Sequence, residues 1–512
     1  MILLSLPLLH FALAAVSAAW QRGIRWLLLV SLIIDGALVA ILFGRFFSGE
    51  TVQVALGGWE GFISIELAAD RLSLDCSVLL LLLSFAITAY LWRKRLKPYF
   101  FMLLHLALGS VLSLLFTRDL FNMYVTLELL TLVSFLLVGY EKKARQIWAA
   151  LKYLVLASMG MGIYLLGVAV VYYHAGTLNL ERLSAGQLGG TGSGWVVLAS
   201  SLLACGVAVK AGVFVFSLWL PSAHSEADPA VSALLSGLVI KMGAVVFFRL
   251  GDVFPLSLPL LVLGAVSGIL GALYAAFSTD LKRMLAFSTL SQVGLIVIGI
   301  GAGTAAGMAG GIEYIVAHGL FKGLLFLAAG TAARAVGSSD VARLVASRRR
   351  IPVFARIALL VGTLGIVGMP PLAGFCGKGL LSVGSESIAV HVLLIAISVG
   401  TVVAFGKLVP LFVPGGRTGS SWPETVSFGI LSMAVILFLP LSVILVPSEL
   451  RVLGYSTGRI VESLLLVGGG LVLYRFVRVL KVHLPQRIFQ LEEAVLIILG
   501  GFFFIYLLLL AG

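Results

Sequence analysis

The sequence predicts an all-α polytopic membrane protein of about sixteen transmembrane helices, some of them broken. Three observations lead there. Of 512 residues, 60% are hydrophobic and only 11% are charged, too few polar side chains to cover a soluble protein of this length. Apolar runs of about 20 residues, enough to cross a hydrocarbon core, recur along the whole chain. Basic residues collect in every second connection, as cytoplasmic loops require. The excess of 35 Lys+Arg over 22 Asp+Glu therefore reads as loop bias, and nucleic acid is excluded as a partner. Cys76, Cys205 and Cys376 fit no zinc, haem or iron–sulfur spacing, so no cofactor is expected and any redox chemistry belongs to a partner.

The spans follow in order. The first, 2–20, ends in the small residues Val16-Ser17-Ala18-Ala19 that a cleaved signal would also show. No basic segment precedes it, and Arg22 and Arg25 follow, so it reads as a retained span with the N-terminus outside. Spans 25–47 and 72–92 lead to the basic loop Arg93-Lys94-Arg95-Leu96-Lys97. Spans 98–117 and 119–139 lead to Glu141-Lys142-Lys143-Ala144-Arg145, and 146–173 ends in the nearly uncharged segment 177–194. Spans 195–220 and 229–250 flank a Pro-bounded polar segment. Spans 257–278 and 281–300 meet near Lys282-Arg283, with the uncharged loop 301–307 after them. Spans 306–333 and 351–375 enclose Arg343 and Arg348-Arg349-Arg350. The remaining spans are 386–412, 425–447, 457–480 and 489–511, the last two joined through Arg475 to Arg487. The alternation holds throughout, so an even number of spans is expected, with both termini outside a cytoplasmic or inner cell membrane.

The chain repeats internally. Asp119-Leu120-Phe121-Asn122-Met123 resembles Asp280-Leu281-Lys282-Arg283-Met284 at an offset of 161, and Lys152-Tyr153-Leu154-Val155 resembles Glu313-Tyr314-Ile315-Val316 at the same offset. Five spans separate the copies, and an odd number reverses the second, so spans 4–8 and 9–13 are expected to be inverted repeats. The divisions are then 1–97, a first repeat 98–250, a second repeat 251–412 and C-terminal spans 413–512.

Ionisable residues inside spans point to the chemistry, since each costs at least about 2.5–3.5 kcal/mol at the bilayer centre. Glu128, Lys210, Lys241, His318 with Lys322, and Lys378 all fall near mid-span or beside a break, at one depth on different helices. A pore would spread polar groups from surface to surface; a common depth suits a proton path parallel to the membrane. A lysine in apolar surroundings can reach a neutral state, a nearby carboxylate favours its charged form, and histidine titrates close to neutrality. Pro221, ending span 7, and Pro370-Pro371 in span 12 mark helix breaks whose freed backbone can line hydrated cavities. Gln292, with the hydroxyls of Ser278-Thr279, Ser288-Thr289 and Ser291, can carry a water chain, although such residues also pack helices.

Plainer readings stand beside these. A lone lysine can snorkel, but Glu128, Lys210 and Lys241 lie about ten residues, or about 15 Å, from either end of their spans. His318 and Lys322 share a helix face, and could serve a structural hydrogen bond. Lys152, about a turn inside span 6, is as readily an interfacial anchor. His224, with Glu226 and Asp228, reads as the hydrated loop of a broken helix or as a metal cluster lacking a full ligand set. Gly301-Ala302-Gly303-Thr304-Ala305-Ala306 fits a dinucleotide pattern only formally, because it joins two spans.

Taken together, several motifs resemble the antiporter-like subunits shared by NADH:quinone oxidoreductase, membrane-bound hydrogenases and Mrp-type cation/proton antiporters. They are Asp119 to Tyr140, Trp219 to Ala227 running into Val231 to Gly237 and Lys241, Asp280 to Gly294, His318 to Leu327, and Met369 to Lys378. The likeness covers about residues 70–410. It implies a fourteen-helix core of two inverted five-helix repeats with a Glu–Lys pair, a central Lys and a terminal Lys or Glu. These fall on Glu128 with Lys210, on Lys241 and on Lys378, while His318 and Lys322 match the element linking the hydrophilic axis.

The sequence also departs from the family pattern. Two further spans follow the core, joined by the short basic loop Lys481 to Arg487, with no room for a long lateral helix. That argues against the distal subunit of the respiratory enzyme. Lys378 favours branches ending in Lys, and the His224 segment is closer to the hydrogenase type. The resemblance implies a proton-translocating subunit, moving H⁺ alone or with Na⁺, that works in the lipid bilayer beside other membrane subunits performing redox chemistry. The alternative is a subunit of an Mrp-type antiporter with no redox module. A solute carrier should show a substrate-sized polar site, and a scaffold needs no charges at mid-membrane.

Overall fold

In the computed structural model, residues 1–19, 23–57, 64–187, 193–385, 387–413, 419, 421–438, 454–480 and 491–511 are described. The apolar runs fold as helices because a backbone in hydrocarbon must satisfy its own N–H and C=O groups. Thirteen helices among the described residues are long and apolar enough to cross a membrane. The chain is therefore a multi-pass membrane protein. Three shorter apolar helices, Val353–Val367, Trp422–Ile436 and Val495–Ala511, fall where further spans were expected. Residues 439–447 of the expected span 425–447, and the loop 481–487, lie outside the described residues.

The helices in order are α1 (Ile2–Ala19), α2 (Ile24–Phe47), α3 (Arg71–Leu91), α4 (Pro98–Phe116), α5 (Leu120–Val138) and α6 (Ala144–Ala175). Then come α7 (Gly194–Ala211), α8 (Trp219–Glu226), α9 (Pro229–Leu234) and α10 (Ile240–Gly251), the last two joined by a π turn over Leu235–Val239. They are followed by α11 (Ser257–Phe277), α12 (Leu281–Gly301), α13 (Ala305–Val336), α14 (Val353–Val367) and α15 (Ala373–Val383). The chain closes with α16 (Ile388–Gly406), α17 (Trp422–Ile436), α18 (Thr457–Val477) and α19 (Leu491–Ala511). The α9–α10 span, α12 and α13 are buried over their whole apolar windows and form the centre of the bundle. An antiparallel hairpin, β1 (Gln53–Leu56) with β2 (Ile65–Ala68), sits between α2 and α3 and was not foreseen.

The offset of 161 reappears in local geometry. Asp119 caps α5 by accepting from the Asn122 backbone N–H, and Asp280 caps α12 by accepting from that of Arg283. Asp119 forms an isolated bridge with Asn179, and Asp280 with Asp340. The long helices α6 and α13 end on Gly176 (φ 69°) and Gly337 (φ 79°), both in the left-handed region that terminates helices. The two caps lie at opposite ends of α3. Arg118, beside the first, pairs with Asp70 at 2.9 Å, just before α3. Lys282, beside the second, donates to the Ala227 carbonyl, and neighbouring Asp228 pairs at 2.7 Å with Lys94, beyond the far end of α3.

Two break positions differ from expectation. The first is at Gly212 (φ 81°), not Pro221, which sits in the first turn of α8, where a proline is tolerated. The second does fall at Pro370-Pro371, but the helix resumes as α15 and runs to Val383 instead of ending near 375.

α11 and α12 meet along a seam of glycines. A Cβ at Gly294 would lie 2.5 Å from the backbone N of Gly268, and one at Gly271 would lie 2.5 Å from that of Ser291. Lys407, just past α16, closes the end of α11. Its Nζ donates to the carbonyls of Ala275 (3.0 Å), Ala276 (2.8 Å) and Ser278 (2.8 Å), which the helix itself leaves without donors.

Candidate functional site

Glu128 lies on α5, where its Oε1 accepts from the Ser158 hydroxyl of α6 at 2.6 Å. Its Oε2 is 3.7 Å from Lys210 Nζ. That Nζ also donates to Thr131 Oγ1, one turn beyond Glu128 on the same face of α5. Lys210 is the next-to-last residue of α7, one position from the break, not ten residues inside an unbroken span. Ser217 Oγ donates to the carbonyls of Ala208 (3.3 Å) and Val209 (3.0 Å), and Trp219 Nε1 to that of Val209 (3.2 Å), so side chains beyond the break satisfy acceptors it frees.

Lys241 is fully buried at the start of α10, directly after the π turn. Its Nζ donates at 2.5 Å to the carbonyl of Ser236, a residue of that turn. The Ser236 hydroxyl lies 2.9 Å from that of Thr289 on α12. One residue away on α12, Ser288 accepts from Lys322 Nζ, which also donates to the Leu285 carbonyl at 2.7 Å. A chain of polar atoms thus runs from Lys241 to Lys322 through α12. His318, one turn before Lys322, is also fully buried, and its ring stacks near Tyr314 at 6.2 Å between centroids. Neither of its ring nitrogens has a hydrogen-bond partner among the described residues.

Tyr314 donates to Gln292 Oε1, and Gln292 Nε2 donates to Thr401 at 2.9 Å, so α13, α12 and α16 are joined beside His318. Lys378, on α15, donates at 2.9 Å to the carbonyl of Ile366, at the end of α14. It lines a cavity of about 50 Å³ with Ser382, Ser398, Arg459, Glu462 and Ser463.

The family model described as NADH:quinone oxidoreductase/Mrp antiporter, TM, matches residues 117–404. The chain belongs to this family. NADH-quinone oxidoreductase subunit N of Desulforudis audaxviator (strain MP104C) is 31% identical over 386 residues, covering 73% of this chain and 76% of that one. An Na(+)/H(+) antiporter subunit of Bacillus subtilis (strain 168) is 28% identical over 368 residues, covering 69% and 73%. Among solved structures, the membrane-bound sulfane sulfur reductase, an archaeal respiratory membrane complex, has a chain with a TM-score of 0.79 at 24% identity, covering 91% of this chain and 98% of that one. A chain of the Mrp complex from Dietzia sp. DQ12-45-1b gives 0.73 at 22% identity, covering 99% of each. These two show the shared fold.

All six candidates from Glu128 to Lys378 fall within the segment that matches this NADH:quinone oxidoreductase/Mrp antiporter family. The structure gives Glu128 and Lys210 one ion pair, links Lys241 to Lys322 by hydroxyls, and places Lys378 at a cavity. Lys152 stands apart, with its Nζ 5.4 Å from the ring centre of Trp148, an exposed residue of the same helix, as an interfacial anchor would. His224 is not in a hydrated loop. It lies buried in α8 and stacks on Phe326 at 4.6 Å, with Glu226 ending that helix and Asp228 capping α9.

Sequence reasoning missed Thr131, Ser158 and Ser236, whose hydroxyl or carbonyl groups look ordinary in apolar helices. It also missed the group beside Lys378: Arg459 with Glu462 at 2.5 Å, and His391 Nδ1 3.1 Å from Ser382. Arg459 and Glu462, charged and close to the start of a span, were the available signal for that group.

Proposed function

We propose that this chain is the proton-translocating subunit of a hetero-oligomeric membrane complex in which partner subunits perform redox chemistry. Glu128, Lys210, Lys241, His318, Lys322 and Lys378 form its lateral proton path. The observation that carries the reading is the coincidence of lysines with helix interruptions. Lys210 precedes the Gly212 break, Lys241 follows the π turn, and Lys378 bonds a carbonyl at the Pro370-Pro371 break. Each interruption supplies carbonyl acceptors inside hydrocarbon, where a helix otherwise offers none, so an ammonium can be held there and released without unfolding the span.

The two copies of the 161-residue pattern are inverted units, 98–250 and 251–412, each contributing one broken helix. Glu128 sets the charge on Lys210: proximity favours the ammonium, and moving the carboxylate away releases a proton toward Lys241. The cavity at Lys378 gives the far end an outlet. Both termini lie outside a bacterial or archaeal cell membrane, with the basic loops in the cytoplasm.

Gentle purification with identification of the copurifying chains tests the assignment. Hydrogenase-like or quinone-reductase-like subunits are the expected result. Recovery of small membrane subunits alone would replace it with a cation/proton antiporter that has no redox module.

A further inference from the structure

Three titratable side chains meet outside the path just described. His10 on α1, Asp35 on α2 and His105 on α4 are each fully buried. His10 Nε2 lies 2.6 Å from Asp35 Oδ2, and His10 Nδ1 lies 2.9 Å from His105 Nδ1. His10 is the one titratable side chain within α1, while Asp35 and His105 sit near the middle of their helices. The surrounding packing makes room for them. Gly109, one turn after His105, faces α1, and a Cβ there would lie 2.8 Å from the Phe11 ring and 3.2 Å from His10 Cβ. The outer faces of α1 and α2 are apolar, with Leu8, Val30 and Ile33 exposed, so no water-facing role accounts for a carboxylate and two imidazoles between them.

The bonding fixes where the protons are. An ionised carboxylate only accepts, so His10 Nε2 carries hydrogen and donates to Asp35. A neutral His10 then has a bare Nδ1, and His105 Nδ1–H donates to it, which leaves His105 Nε2 bare. His105 Nε2 and Asp35 Oδ1 are both buried with no hydrogen-bond partner among the described residues. The three groups therefore form a closed line of hydrogen bonds with two open ends.

We propose that Asp35, His10 and His105 form a second proton-binding site, which takes up one proton at mid-membrane and passes it between its open ends. A proton bound at His105 Nε2 lets the Nδ1 proton move to His10 Nδ1, and the His10 Nε2 proton move to Asp35. Each ring gains one proton and gives one away, the carboxylate becomes the neutral acid, and the cluster goes from a net negative charge to none. α4 packs on both α1 and α5, so the site adjoins the helix that carries Glu128. The proposal rests on the chain being a proton translocator, but not on the route through Lys241.

The same bonds would serve a staple that merely pins α1 and α2 to α4, and His105→Gln and Asp35→Asn separate the two roles. An amide keeps the size and a hydrogen bond but neither takes up nor releases a proton. With the intact complex in liposomes and a pH-sensitive dye, both variants should assemble and lose at least about tenfold in coupled proton transport, a barrier increase of about 1.4 kcal/mol. Wild-type transport by either assembled variant, while Lys241→Arg has lost it, would overturn the site and leave the lateral path standing. The reverse pattern would overturn the path and leave the site.

Should neither variant assemble, wild-type complex labelled with ¹⁵N-histidine decides. The His10–His105 pair is recognisable by nitrogen–nitrogen coupling across its hydrogen bond. Its shared proton should exchange with deuterated solvent within the time of turnover, and protection lasting hours would mean a staple.

Discussion

The ammonium of Lys241 lies 2.5 Å from the backbone carbonyl of Ser236, inside a π turn that separates α9 from α10. The turn widens the helix by one residue and leaves acceptors unmatched at that level. A lysine so placed is bonded yet free of any carboxylate, and it can exchange its proton with the Ser236–Thr289 hydroxyls.

Replacing Lys241 with Arg therefore distinguishes a fixed charge from a proton carrier. The guanidinium keeps the charge and cannot be deprotonated in a protein. We expect Lys241→Arg to assemble normally and to lose most coupled transport in vesicles, by more than Lys241→Gln, where water can bridge the gap. Near-normal transport by the Arg variant would show that protons bypass Lys241.

Glu128→Ala and Lys210→Ala should each reduce pumping at least about tenfold, the equivalent of about 1.4 kcal/mol in the barrier. Assembly should survive, because Thr131 still holds Lys210 in the first variant and Ser158 still holds Glu128 in the second. Unimpaired pumping by either correctly assembled variant counts against the pair as a switch.

The position of the first helix break makes a third test. Gly212 has φ 81°, and a Cβ there would lie 3.0 Å from the Ile240 side chain. Gly212→Ala should destabilise by about 1–2 kcal/mol through left-handed strain, shift Lys210, and lower transport. Pro221→Ala, in the first turn of α8, should change both little. Comparison of thermal midpoints and dye-monitored transport would show whether the break is at the glycine or the proline.

The cap of α5 predicts a pH effect. Asp119 lies before the span, and burial raises its carboxyl above the ordinary value of 3.8, against the lowering effect of the bonds it accepts from Asn122 and Phe121. Between 3.8 and the raised value the folded state holds a proton that the unfolded state has lost, so this group's contribution to stability falls as pH rises through that window. Asp119→Asn keeps a good cap without the charge. Its thermal midpoint in detergent should be flatter across acidic pH than that of the wild type, and an unchanged profile would remove Asp119 as the cause.

Much of this was legible in the sequence because hydrocarbon allows few alternatives. Apolar length and loop charge located the helices to within several residues, and a lysine amid leucines announced itself at 210, 241 and 322. Positions set by backbone geometry were harder to read. Pro221 looked like a helix end, yet a first-turn proline fits a helix, while the left-handed Gly212 that ends α7 is one glycine among 58. The π turn at Leu235–Val239 leaves no mark in composition. The Asp35–His10–His105 cluster was overlooked because its members lie on three separate helices, each with a single mid-helix polar residue that draws little notice alone.

The glycine seam between α11 and α12 bears on how the protein can move. With backbone against backbone at Gly294 and Gly268, and Lys407 tying down the last carbonyls of α11, these helices cannot slide past one another or change their crossing angle without collision. They act as a rigid strut. Any stroke during turnover must bend the chain at its interruptions, at Gly212, in the π turn or at Gly368 (φ 86°), while the strut supplies the fixed frame against which those joints flex.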